Sequence, residues 1–135
     1  MKTTLSLLGV VLVFALCGTA EPERPDISGT IRWVNSTTWE PVADAGHTPT
    51  GITSVTVLSD RVRVNYDFTA EKVSSFQATP DEAFASADVR VGASVGLTYA
   101  DIFFYMPAYG STPVNPALLS KAGANVWLTG WFEVE

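Results

Sequence analysis

In the stretch RVRVNYDF, Arg61 to Phe68, apolar and polar side chains change places at every step. Val62, Val64, Tyr66 and Phe68 fall on one side of an extended chain, and Arg61, Arg63, Asn65 and Asp67 on the other. A period of two marks a strand with one buried face. The same rhythm recurs along most of the chain. Ile27, Gly29, Ile31 and Trp33 share a side, as do Val89, Val91, Ala93, Val95 and Leu97. Near the end, Val126, Leu128, Phe132 and Val134 alternate with Trp127, Thr129, Trp131 and Glu133. ADIFFYM is apolar on both sides, and Lys72 to Ala78 alternates more weakly. Val55 and Val57 lead through Ser59-Asp60, a turn dipeptide, into the Val62 strand, so these two strands read as a hairpin.

After the first twenty residues no helical period of useful length is found. Two short helices are expected. Thr79 can cap one, with Pro80 in the first helical position and Glu82 reaching back to complete a capping box. Asn115-Pro116 opens the other, and Gly123 ends it. About seven strands with turn chemistry between them predict an all-β fold. The expected form is an antiparallel β-sandwich, Ig-like or jelly-roll-like, with one or two short helices; a flattened β-barrel is the alternative.

The first twenty residues follow different rules. Lys2 precedes an apolar stretch from Leu7 to Leu16, and small residues follow at Gly18 and Ala20. That is the layout of an export signal. The apolar run is shorter than the roughly 20 residues a spanning helix needs. The expected organisation is a signal peptide over 1–20, a short leader over 21–26 and a single sandwich domain over 27–135. Cys17 leaves a second option open, a lipid-anchored chain, although Leu16 before it is bulkier than lipoprotein processing favours. Either way the chain is expected outside the cell, secreted or held at the membrane by that lipid.

Cys17 is the chain's single cysteine, so the domain has no disulfide, thiolate metal site or cysteine nucleophile. Its stability must come from a packed core. Acids outnumber bases 14 to 8 and no basic patch stands out, which argues against nucleic-acid binding. Asn35-Ser36-Thr37 matches the glycosylation acceptor pattern, a triplet common by chance.

The long segment Asn35 to Gly51 breaks the alternation and holds the chain's one histidine, His47. A hydrolase could use His47 as a base with Asp44 to orient it, but no nucleophile-elbow pattern offers a serine. One histidine cannot build a multi-histidine zinc site, and no D-x-[DN]-x-[DN]-G loop offers calcium ligands. The simpler role for His47 is to fasten its own loop by hydrogen bonds. Asp81 and Glu82 adjoin each other, unlike the facing acids of a glycosidase, and fit the favourable charge at a helix N-terminus. No cofactor or metal is expected.

The aromatic residues carry the strongest signal for binding. Trp127 and Trp131 lie on one side of the last strand, about 13 Å apart. Phe103 and Tyr105 lie on one side of the sixth expected strand. If those strands are neighbours, the four rings form one wall, suited to stacking sugars or meeting a protein. Tyr109 sits in the following loop, and Trp39 lies in the segment Asn35 to Gly51, which can act as a lid or recognition loop. The candidate contact set is therefore Trp39, His47, Phe103, Tyr105, Tyr109, Trp127 and Trp131. The alternative is that this face is a second layer of core.

The stretches WEPVADAGHTPTGITSV and TPDEAFASADVRVGASVGLTYADIFFY resemble small β-rich domains of bacteriophages that infect Gram-positive hosts. The resemblance covers roughly Ser28 to Tyr105. It implies a structural or attachment role, as in a virion tail, and brings no catalytic residues. The export signal departs from that pattern, because a virion part assembles inside the cell; a secreted or lipid-anchored factor at the cell surface agrees better. The leading expectation is an exported, non-catalytic module that binds a glycan or a protein at the cell envelope. A small hydrolase using His47 and a self-assembling subunit are the alternatives.

Overall fold

The computed structural model describes residues 25–42, 49–119 and 124–134. These residues form eight strands: β1 (Ile27–Asn35), β2 (Thr38–Val42), β3 (Ile52–Val57), β4 (Val62–Tyr66), β5 (Lys72–Pro80), β6 (Arg90–Val95), β7 (Tyr99–Tyr105) and β8 (Asn125–Glu133). A short helix, α1 (Glu82–Ser86), joins β5 to β6, and 3₁₀ turns at Pro107–Tyr109 and Pro116–Leu118 lie between β7 and β8. The strands make two four-stranded sheets. Sheet I runs β2-β1-β8-β5 and sheet II runs β3-β4-β7-β6, with every neighbouring pair antiparallel. The fold is a β-sandwich, with no closed barrel.

Alternation decides what the sandwich buries. Val62, Val64 and Tyr66 on β4, with Ala100, Ile102 and Phe104 on β7, turn inward from sheet II. Ile27 and Ile31 on β1, with Val126, Leu128 and Phe132 on β8, meet them from sheet I. Burying each large apolar side chain contributes about 1.5–3 kcal/mol. Aromatic clusters fill both ends of the space. Trp39, Phe84 and Phe104 pack with ring centres 5.1–5.9 Å apart, and Tyr66, Phe68, Phe76 and Phe132 form the second group.

The hairpin β3–β4 forms as the alternation predicts, with Val57 opposite Val62 and Leu58 donating its N–H to the Arg61 carbonyl across the turn. Three local expectations are corrected. There is an eighth strand, β2, inside the segment expected to be a loop. Asn35 makes this possible: its Oδ1 accepts from both the backbone N–H and the hydroxyl of Thr37, turning β1 tightly into β2. Pro41 hides β2 from a propensity argument, yet an edge strand tolerates proline.

The cap of α1 is Asp81 rather than Thr79. Thr79 and Pro80 still pair with Trp127 and Val126 as the end of β5. Asp81 Oδ1 accepts from the Phe84 N–H, and its Oδ2 accepts from the Asn125 N–H at 2.8 Å, so one carboxylate starts the helix and ties it to β8. The third correction concerns Asn115-Pro116, which opens a 3₁₀ turn with Asn115 Oδ1 accepting from the Ala117 N–H. Gly123, Cys17, and the expected signal and leader up to residue 24 lie outside the described residues.

Candidate functional site

The inward side chains are committed to the core, so contact chemistry must lie on the two outer faces and at the sandwich ends. On sheet I, register places Thr30, Trp127 and Thr79 side by side across β1, β8 and β5. The next row holds Ser28, Thr129 and Gln77. Beyond it, Trp131 stands beside Ser75. Trp127 is 54 % exposed, the most open of the large apolar side chains among the described residues. A shallow groove of about 260 Å³ runs beside it, lined by Ser28, Gly29, Thr30, Leu128 and Thr129. The face therefore joins one open indole to a rim of hydroxyls and an amide.

Its charges lie toward the ends of the strands. Arg32 stands opposite Glu40 and donates Nε–H to Asn125 Oδ1 at 3.2 Å. Lys72 meets Glu133 at 3.5 Å near the other end.

The outer face of sheet II is built differently. Asp101 on β7 is 4 % exposed and accepts hydrogen bonds from Arg61 Nη1 at 3.0 Å and Arg63 Nε at 2.8 Å. Arg61 also donates to both oxygens of Asp60. The guanidinium of Arg61 lies over Phe103 at 4.7 Å, and that of Arg63 over Tyr99 at 3.9 Å. Burial pushes the Asp101 carboxyl up, but the hydrogen bonds from Arg63 and Arg61 outweigh it and hold the group below the usual carboxylate range. Asp60 is lowered by its hydrogen bond from Arg61. An ionised carboxylate locked between two guanidiniums has no proton to donate at neutral pH. The lattice is thus a brace between the β4 strand and β7.

The expected single wall of four rings does not exist. Trp127 and Trp131 belong to sheet I, while Phe103 and Tyr105 belong to sheet II. Because Phe104 and Leu128 point into the core, their odd-numbered neighbours point outward on opposite sides of the molecule. Phe103 is half-buried under Arg61, and Tyr105 lies against Gly92, where an added Cβ would meet Tyr105 Cε2 at 3.2 Å. Trp39 is corrected from contact residue to core: it lies on β2, 3 % exposed, stacked on Phe84. Tyr109 is open at the sandwich end, 49 % exposed. His47 and Asp44 lie outside the described residues.

The Asp60–Arg61–Asp101–Arg63 lattice was missed by sequence reasoning. Its signal was present as two arginines at alternate positions of one strand and an aspartate inside ADIFFYM, but nothing local tells that these strands are neighbours. A further groove of about 760 Å³ lies at one end, with Pro80, Ala85, Val89, Val91 and Pro107 around Asp88 and Arg90. Among the described residues no group of three or more histidine, cysteine, aspartate or glutamate side chains converges as a metal site, and no helix is long and apolar enough to cross a membrane. Comparison with known protein families, curated proteins and solved structures finds no match for this chain.

Proposed function

We propose that this chain is an exported, non-catalytic binding module that acts at the cell envelope or outside the cell through the outer face of sheet I. The observation that carries the proposal is the exposure of Trp127 on the hydrogen-bonded outer face of sheet I, beside a hydroxyl-lined groove. An exposed tryptophan costs solubility and contributes nothing to the core, whereas in contact with a ligand it supplies large area with little rotamer entropy. Sheet I supplies a rigid support, since Trp127 is held on a strand paired on both sides. No reacting group is required for such a role.

The test is retention on isolated cell envelopes of the producing organism. The parent protein is expected to sediment with the envelopes, and Trp127→Ala is expected to remain largely in solution while keeping the parent melting temperature. Equal retention of both proteins, or retention of neither, would overturn the proposal.

A further inference from the structure

We infer that the ligand of this face is an uncharged polysaccharide, laid along β8 with one ring on Trp127 and the chain continuing toward Trp131. The inference rests on the binding role proposed above and names the chemistry that the face selects. A pyranose ring presents C–H groups on its faces and hydroxyls around its rim. It therefore needs an open aromatic face with hydroxyl or amide partners beside it. Trp127 offers the first. Thr79 and Gln77, both exposed, and Thr129 beside them offer the second.

Charge decides between polysaccharide classes. A polyanion needs uncommitted bases along its track, and the two bases of this face among the described residues are engaged: Arg32 donates Nε–H to Asn125 Oδ1 and stands across from Glu40 in register, and Lys72 meets Glu133. The chain as a whole carries a formal charge of −6 and repels polyanions. Among the described residues the acids of this face that a polycation would meet are Glu40, one row along and two strands over from Trp127, and Glu133 at the far end of β8. The central rows Thr30, Trp127, Thr79 and Ser28, Thr129, Gln77 hold no charge.

Direction follows from the strand. Trp127 and Trp131 share the outer side of β8 about 13 Å apart, with Thr129 between them. A glycan crossing the strands would leave Trp127 after one ring, whereas one that follows β8 meets both indoles. Trp131 is half-buried, so it is the weaker contact.

The experiment separates this inference from the binding role itself. Glycans released from the same envelopes are divided by anion exchange into neutral and acidic fractions, and each is titrated into the full chain while tryptophan emission is read. The neutral fraction is expected to change the emission and to displace the protein from envelopes; the acidic fraction is expected to do neither. Trp127→Ala should bind the neutral fraction about tenfold more weakly, Trp131→Ala less so, and Trp127→Phe should recover part of the loss. Affinity should rise with chain length until the glycan spans both indoles. If envelope retention depends on Trp127 but only the acidic fraction, or neither fraction, displaces the protein, the polysaccharide inference fails while the binding role stands. If there is no retention, both fail.

Discussion

Asp101 shows how strongly one residue can be remade by its neighbours. It points outward from β7, yet Arg61 and Arg63 cover it almost completely. Its pH effect has a definite sign. The folded carboxyl titrates below its unfolded value, so the lattice contributes fully above the unfolded value of about 3.9 and is lost as pH falls through the lower folded one. Asp101→Asn keeps the shape and removes the charge. It is expected to melt several degrees lower than the parent at neutral pH, and the gap should narrow as pH drops below about 4. Melting curves at matched ionic strength between neutral and acid pH check this, and a gap that stayed constant would refute it.

Tyr66 provides the opposite case. Burial, and then the charge of Asp101, raise its phenol well above the ordinary range, while its hydroxyl donates to the Gly96 carbonyl at 3.2 Å. Its stabilising contribution is present below the unfolded value of about 10 and is lost as pH rises beyond it. Tyr66→Phe is expected to lose stability at neutral pH but to show a weaker decline in alkaline denaturation.

Among the elements, α1 is the clearest case of local chemistry meeting tertiary need. Five residues cannot sustain a helix alone. Asp81 caps its start, and its end closes with Asp88 donating N–H to the Ala85 carbonyl and Val89 to the Phe84 carbonyl. That is a Schellman closure, and the buried pair Phe84 and Val89 forms its hydrophobic contact. The position that needs a left-handed backbone is Asp88, at φ 57°. Glycine enters that region without the steric cost of a Cβ. Asp88→Gly should therefore stabilise the domain by about 0.5–1 kcal/mol, seen as a higher urea midpoint with an unchanged slope. A lower midpoint would show that the Asp88 side chain contributes more than the strain it carries.

The strands follow a different rule. β8 must pack beneath two aromatic rings at Gly130, where an added Cβ would lie 2.8 Å from Phe132 and 2.9 Å from Phe76. Gly130→Ala is expected to cost about 1–3 kcal/mol through overpacking, measured by chemical denaturation.

For the whole molecule, the separation of β7 and β8 into different sheets matters most. Rings expected to form one wall stand on opposite sides of a sandwich whose layers lie about 10 Å apart. Trp127→Ala and Tyr105→Ala should therefore be energetically independent. The stability change of the double variant should equal the sum of the singles to within about 0.5 kcal/mol. A larger coupling in a double-mutant cycle would mean that the two faces communicate through the core.

The chain's own pattern determined which side chains turn inward. Val62, Val64, Val126 and Leu128 are readable from period two, because a strand's two faces are a local property of its backbone, whereas ADIFFYM, apolar on both sides, leaves the inward face of β7 undecided. The hairpin β3–β4 and the capping role of Asn115 are local for the same reason. The pairing of β1 with β8 and of β4 with β7 was decided only in three dimensions, since it joins segments far apart in sequence. That pairing divided the aromatic residues between two faces, brought Arg61 and Arg63 onto Asp101, and made Trp39 part of the core. It also left Trp127 open. Alternation says which side of its own strand a residue takes, but only long-range packing decides what stands beside it and whether water can reach it.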